Sequence, residues 1–219
     1  MRLSRLRGHK GNFILMLITT LLLSIPISIV YQLIFPSAVK LCENTKISED
    51  LATRIADLPL IPTESIKTVE NFEKYLDNIN YLIDSINAIF SVSFKFKKLK
   101  IMRTLTLEEC LDLAQRYNAL IEAAKSVKHA TPTTKRDFCE EAAKLGVEVL
   151  ILNIKQSRKL NLDVDEEIRL LDKIRSELEH VCGSKCVNEI DQIIGSYLCK
   201  YVSHTPLLNE FFKKFGIKC

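Results

Sequence analysis

Residues 138–154 read FCEEAAKLGVEVLILNI, and their second half, residues 147–154, is apolar on every face of a helix. Such a run fits a buried strand as well as a buried helix. The residues before it favour the helix, because Phe138 and Ala142 begin an apolar pattern at helical spacing and only Gly146 interrupts it. We therefore predict a buried helix here.

The flanking segments also carry helical signatures. An apolar stripe follows helical spacing over residues 65–89, and Thr106 with Glu109 forms a capping-box pattern that starts a helix running to about Val127. Gly is scarce, with 6 residues, and Trp is absent. Further helices are predicted over residues 47–58, 186–202 and 206–215. Two more are predicted to begin at Thr131, with Pro132 at the first helical position, and at Asp163 or Asp165. The fold class is therefore all-α, an antiparallel helical bundle joined by short loops.

The N-terminus has the pattern of a membrane anchor. Residues 1–12 form a basic stub, and residues 13–35 carry no charge. A helix of that length, at about 1.5 Å per residue, spans about 34 Å and can cross a bilayer core of about 30 Å. The positive-inside rule places the stub in the cytoplasm and everything after residue 35 outside it. A cleaved signal peptide is the alternative, but the apolar core is longer than is usual and Pro36 disfavours cleavage after Ala38.

These features predict a single-pass membrane protein that contacts lipid through residues 13–35. The cytoplasmic stub and the transmembrane signal-anchor helix precede a linker with a short helix over residues 36–62. An extracytoplasmic helical domain then occupies residues 63–219, which is long enough to bury a core.

The charge balance excludes nucleic acid as the main partner. The chain has 31 Lys and Arg against 27 Asp and Glu, a formal charge of +4. Four of the basic residues precede Lys40 and no acidic residue does, which leaves 27 against 27 in the rest of the chain. A nucleic-acid-binding domain is expected to be basic.

A basic-aromatic patch follows the apolar stripe. Its period is nearer two than 3.6 over Phe94–Lys97, which predicts a short extended segment or strand near residues 92–100. Such a patch can bind anionic lipid headgroups or an acidic partner. The simpler interpretation is a solvated loop with two anchoring aromatics. The patch consists of Phe94, Lys95, Phe96, Lys97, Lys98 and Lys100.

The chain contains 7 cysteines, all after the predicted membrane segment, and outside the cytoplasm disulfides are the default. Cys182 and Cys186 flank a three-residue turn and are the favoured pair, whereas Cys186 and Cys199 would lie about 20 Å apart on one helix. Because the count is odd, Cys219 at the end of the sequence is predicted as the free or intermolecular thiol. The disulfide candidates are Cys42, Cys110, Cys139, Cys182, Cys186 and Cys199.

Metal and catalytic motifs are weak. His180, Cys182 and Cys186 could converge around the turn as metal ligands, but their spacing matches no standard zinc pattern, so no metal and no cofactor is predicted. The sequence has no phosphate-binding glycine loop, no G-x-S-x-G and no H-E-x-x-H. We therefore predict no catalytic or cofactor-binding residue.

The leading functional hypothesis is a membrane-anchored binding or assembly module without catalytic activity. Its partner would be another protein or further copies of itself, in a cell envelope, a secretion apparatus or a viral membrane. One alternative is a sensor domain that holds a small ligand between helices. Another is a thiol- or zinc-dependent enzyme.

Overall fold

A computed structural model of the chain describes residues 46–90, 95–99, 104–127, 132–181 and 183–219. Within these ranges the protein is all-helical and has no β-strand, as predicted. The described α-helices are α1 (Lys46–Ala56), α2 (Val69–Glu73), α3 (Leu76–Phe90), α4 (Leu107–Val127), α5 (Pro132–Lys159), α6 (Asp165–Val181), α7 (Ser184–Leu198) and α8 (Pro206–Phe215), with short 3-10 helices at Thr63–Ser65 and Cys199–His204.

The long helix α5 lies at the centre of the bundle. Every residue from Ala142 to Gln156 is buried, which confirms the buried helix predicted from the apolar run. Helices α3, α4, α6 and α7 all pack against it. A helix surrounded in this way carries apolar residues on all faces, which made this stretch ambiguous with a strand. Its buried polar residues, such as Lys144, Glu148 and Lys155, need partners from the neighbouring helices.

The apolar stripe at residues 65–89 forms two helices, α2 and the longer α3, rather than one helix. A 3-10 turn at Thr63–Ser65 precedes α2, and α2 begins at Val69 because the Thr68 Oγ1 accepts a hydrogen bond from the backbone N–H of Asn71 at 3.3 Å. A tight turn then separates α2 from α3. Fully buried Phe72 and Ile79 lie on either side of this turn, so both elements contribute to the core.

Helix ends follow their local signals. The predicted capping box is present: the Thr106 N–H donates to Glu109 Oε2 at 2.9 Å, and the Glu109 N–H donates to Thr106 Oγ1 at 3.2 Å. The backbone N–H of Asp165 donates to Asp163 Oδ1 at the start of α6. Helix α8 ends at Gly216, whose φ of 66° is the left-handed conformation that glycine adopts without strain.

Two asparagines on α3 hold the segment at residues 95–99 through hydrogen bonds to its backbone. The Asn87 side chain accepts from the Phe96 N–H at 2.6 Å and donates to the Phe96 carbonyl at 2.9 Å. Asn80 does the same for Leu99, accepting at 2.9 Å and donating at 3.2 Å. Each amide satisfies both backbone groups of one residue, as a rung of a β-ladder would, so these two residues need no partner strand.

A third asparagine holds the chain between the first 3-10 helix and α1. Asn118 on α4 accepts from the Ile61 N–H and donates to the Ile61 carbonyl, both at 2.8 Å. Beside it, the hydroxyl of buried Tyr117 donates to the Pro59 carbonyl at 3.2 Å. We call these three bidentate contacts the asparagine clamps. The clamp at Asn118 holds Ile61, a residue of the predicted linker over residues 36–62, on α4.

The single-pass membrane localisation predicted from the sequence is corrected by the structure. Among the residues described, none of the helices has both the length and the apolar character needed to cross a bilayer. The predicted membrane helix, residues 13–35, and the basic stub lie outside the described residues.

Candidate functional site

An open groove lies between α4 and α7, above the central helix α5. Its volume is about 580 Å³. Helices α4 and α7 both pack on α5, and a single α5 side chain, that of Glu148, contributes to the lining. The lining residues are Asp112, Gln115, Arg116, Ala119, Glu148, Glu189, Gln192, Ile193, Ser196 and Tyr197.

The floor of the groove is a buried ion pair. Glu148 is only 1 % exposed, and its Oε2 accepts from Arg116 Nε at 3.1 Å. Burial raises the pKa of the Glu148 carboxyl, and nearby Asp112 adds to this; the Arg116 charge and hydrogen bonds from Arg116 and Tyr197 oppose it. Burial is the largest of these effects, so the pKa of Glu148 lies above its ordinary value.

One end of the groove is closed by a hydrogen bond between its two walls. The Tyr197 hydroxyl on α7 donates to Asp112 Oδ2 on α4 at 2.9 Å. The pKa of Tyr197 is raised, first by burial and then by the charges of Glu148 and Asp112. Tyr197 therefore stays a neutral donor, and its ring forms part of the wall.

At the other end, Glu189 meets a buried lysine of the central helix. Lys144, 6 % exposed, contacts Glu189 and also donates to Glu141 at 2.8 Å. Burial alone would lower the pKa of Lys144, but the hydrogen bonds to the two carboxylates reverse this and raise it. Lys185 lies on α7, as Glu189 does, and its Nζ is 3.9 Å from the Glu189 carboxylate.

The lining carries three carboxylates, on Asp112, Glu148 and Glu189, against the one guanidinium of Arg116. Its formal charge is therefore −2. The described lining residues include neither a cysteine nor a histidine. Such a surface suits recognition of a cationic, hydrogen-bonding group rather than of an anion.

A smaller groove of about 290 Å³ separates α6 from α8. Ile168 and Phe211 form apolar parts of its lining. Lys214 crosses it and donates to both carboxylate oxygens of Asp172 at 2.8 Å. This internal ion pair engages two of the four charged residues of the lining, and the other two are Arg169 and Glu210.

The basic-aromatic patch is largely engaged within the protein. Phe96 is buried and Lys95 is exposed. Lys97 bonds Glu166 at 3.2 Å and Glu167 at 3.0 Å, and Lys98 bonds Asp84 at 2.7 Å. Phe94 and Lys100 lie outside the described residues. Of the two aromatics in the simpler interpretation, a solvated loop with two anchoring aromatics, only Phe96 is described, so that interpretation and the predicted binding to lipid or an acidic partner both stay predictions.

The disulfide pattern differs from the prediction. Cys219, predicted as the free thiol, is bonded to Cys199. The chain turns at Gly216, just after α8, and residues 217–219 run back along α7. A Cβ placed on Gly195 of α7 would lie 3.8 Å from the carbonyl oxygen of Lys218. Position along the sequence was therefore a poor guide, because the chain reverses before its last residues.

The favoured pair of Cys182 with Cys186 is also wrong. Cys186 is a buried thiol, because α7 begins at Ser184 and carries Cys186 into the core. Cys110 is a second buried thiol, and Cys139 is disulfide-bonded. Cys42 and Cys182 lie outside the described residues.

The weak metal candidates are not brought together within the described residues. Cys186 is buried in the core. The side chain of His180 and the whole of Cys182 are not among the described residues. Within the described part of the chain, no three potential metal ligands form a group.

Comparison of the chain with protein-family models, with curated proteins and with solved structures finds no match.

The groove residues were not found from the sequence. Asp112, Arg116 and Tyr197 look like ordinary surface positions of two amphipathic helices. One signal was present: Lys144 and Glu148 stand four residues apart within an otherwise apolar run. Charged residues on a helix that is buried on all sides require charged partners from the neighbouring helices, which places a polar cluster beside that helix.

Proposed function

We propose that this protein is a non-catalytic, disulfide-stabilised helical module that binds a partner protein through the groove between α4 and α7. The observation that carries the proposal is the groove itself, open to solvent between α4 and α7 and lined by charged side chains that neighbouring helices hold in place. Preformed, polar surfaces of this kind serve recognition by charge complementarity.

The thiol groups support a binding role over thiol chemistry. Burial, with a smaller contribution from the charge of Glu73, raises the pKa of Cys110 to about 11. The reactive form of a cysteine is the thiolate, so a buried thiol with a raised pKa is a poor nucleophile. Cys186 is likewise buried, and neither cysteine lines the groove.

Site-specific photocrosslinking tests this proposal. A photoreactive amino acid is placed at Gln115 or Gln192, exposed positions on the two walls, and at Asp77, an exposed position on α3, as the matched control. Cells that express the full chain are irradiated, and the crosslinked proteins are identified by mass spectrometry.

We expect the same partner to be crosslinked from both walls and not from Asp77. Equal crosslinking from Asp77, or a co-purifying partner that is never crosslinked from either wall, would overturn the proposal.

A small-ligand sensor is a second candidate, because a volume of about 580 Å³ lies in the range of small-molecule pockets. Such pockets enclose their ligand and carry few charges, whereas this groove is open and has four charged residues in its lining. A dialysable compound that co-purifies with the protein and raises its unfolding temperature would favour the sensor.

A further inference from the structure

We propose that the groove binds a basic segment of the partner protein, with an arginine or lysine side chain entering between α4 and α7 toward Glu148. This inference rests on the proposed function, because it names the chemistry of the partner at that same groove.

The first argument is charge. With its formal charge of −2, the lining repels phosphate and carboxylate groups, so nucleic acid and acidic peptides are disfavoured. The lysines nearby do not reverse the sign of this charge. Lys144 adds a positive charge beside Glu189, but its second partner, Glu141, adds a negative one, and Lys155 is paired with Glu109. The lining stays negative even when exposed Lys185, 3.9 Å from Glu189, is included.

The position of Glu148 on the floor of the groove also favours a cation. Glu148 is nearly inaccessible to solvent, yet it lines the groove; it is paired with one guanidinium, that of Arg116 on α4, and hydrogen-bonded by the neutral Tyr197 hydroxyl. A second cation that approaches from the open side interacts with this carboxylate where water is largely excluded. Charge interactions are stronger there than at an exposed surface.

The third argument is the shape of the walls. The Tyr197 ring and Ile193 supply apolar surface, and Asp112 and Glu189 stand at opposite ends. The methylene stem of a long basic side chain can lie on the apolar wall while its charged head meets the carboxylates. A guanidinium can also stack on the tyrosine ring.

Peptide titration tests the inference. The purified full chain is titrated by calorimetry at low ionic strength with an acetylated tetra-arginine amide, with a tetra-glutamate peptide of the same length and with spermidine. Low salt is used because exposed charge pairs are screened. We expect the arginine peptide to bind and the glutamate peptide not to bind.

Charge-neutralising variants locate the binding. Asp112→Asn with Glu189→Gln removes two lining charges but keeps an acceptor for the Tyr197 hydroxyl and leaves Glu141 bonded to Lys144. The matched control is Glu70→Gln with Asp77→Asn, two exposed acids on α2 and α3. We expect the lining variant to weaken arginine-peptide binding about two- to thirty-fold, the range for two exposed charge pairs, and the control to leave it unchanged.

Loss of fold is checked by circular dichroism and the unfolding midpoint of each variant. Absence of arginine-peptide binding, equal binding by the lining variant, or spermidine binding as tightly as the peptide overturns the inference; the last result would assign a free polyamine instead. If crosslinking from Gln115 and Gln192 still identifies a partner while the arginine peptide fails to bind, the proposed function stands and only this charge assignment falls.

Discussion

The asparagine clamps and the buried ion pair between Glu109 and Lys155 handle buried polar groups in two ways. At the clamps, one neutral amide satisfies both backbone groups of an extended residue, as Asn87 does for Phe96. In the ion pair, two charges neutralise each other where α4 packs on α5, and both side chains are buried. The clamps fix the path of the chain, whereas the ion pair makes the packing of α4 on α5 depend on the presence of two opposite charges.

This difference predicts different responses to mutation. Loss of an amide leaves two neutral groups without partners, and loss of one charge leaves the other buried and uncompensated. The second is the larger penalty, because a buried unpaired charge is far harder to accommodate than an unpaired amide.

The largest effect is expected at the ion pair. Glu109→Gln keeps a side chain that can close the capping box but leaves Lys155 without its counterion, and we expect it to lower the free energy of unfolding by about 3–5 kcal/mol. Urea denaturation measures this. The matched control is Glu108→Gln, at the exposed neighbouring position, with an expected change within about 0.5 kcal/mol.

Adding Lys155→Met to Glu109→Gln removes the stranded charge, and we expect the double variant to recover most of the lost stability. A double variant as unstable as Glu109→Gln would show that the charges are not the reason for the loss.

A smaller effect is expected at a clamp. Asn87→Ala removes two hydrogen bonds to Phe96, and we expect a loss of about 2 kcal/mol in the free energy of unfolding. The same urea titration applies, with Asn188→Ala at an exposed position of α7 as control. Equal midpoints for the two alanine variants would mean that the amide does not hold the segment.

The smallest effect is expected where Phe96, in the clamped segment at residues 95–99, packs against Gly146 of α5. A Cβ on Gly146 would lie 2.6 Å from ring atoms of Phe96, so Gly146→Ala must displace the ring. Overpacking typically costs about 1–3 kcal/mol, and the helix propensity of alanine returns about 1 kcal/mol, so we expect a net loss of about 1 kcal/mol.

The control for this variant is the same change in a Phe96→Leu background, where the smaller side chain leaves room and Gly146→Ala should stabilise the protein. A stabilising Gly146→Ala in the wild type would mean that the ring yields freely and that the amides alone fix the segment.

The helices were largely predictable because their signals are local. The capping box at Thr106, the proline that starts α5 at residue 132 and the range of α8 all hold in the structure. The buried run at residues 147–154 was assigned correctly from its own neighbours. Each of these signals lies within a few residues of the feature that it determines.

The clamps and the groove were not predictable in the same way. Asn118 lies 57 residues from Ile61, and nothing near either residue marks the other. The cysteine pairing failed for the same reason: local symmetry around a turn suggested Cys182 with Cys186, whereas the Cys199–Cys219 bond depends on where α8 returns the chain. Contacts between distant residues follow from how the helices pack. Packing depends on many residues acting together rather than on one short stretch of sequence.

The bond between Cys199 and Cys219 also makes the last part of the chain a covalent ring that contains the second 3-10 helix and α8. A protease that cuts one peptide bond inside this ring releases nothing, because the sulfur bridge still joins the two pieces. The nicked protein would gain the mass of one water and keep α8 tethered next to α6. Under oxidising conditions, the C-terminal end of this fold can therefore be cut once without being lost.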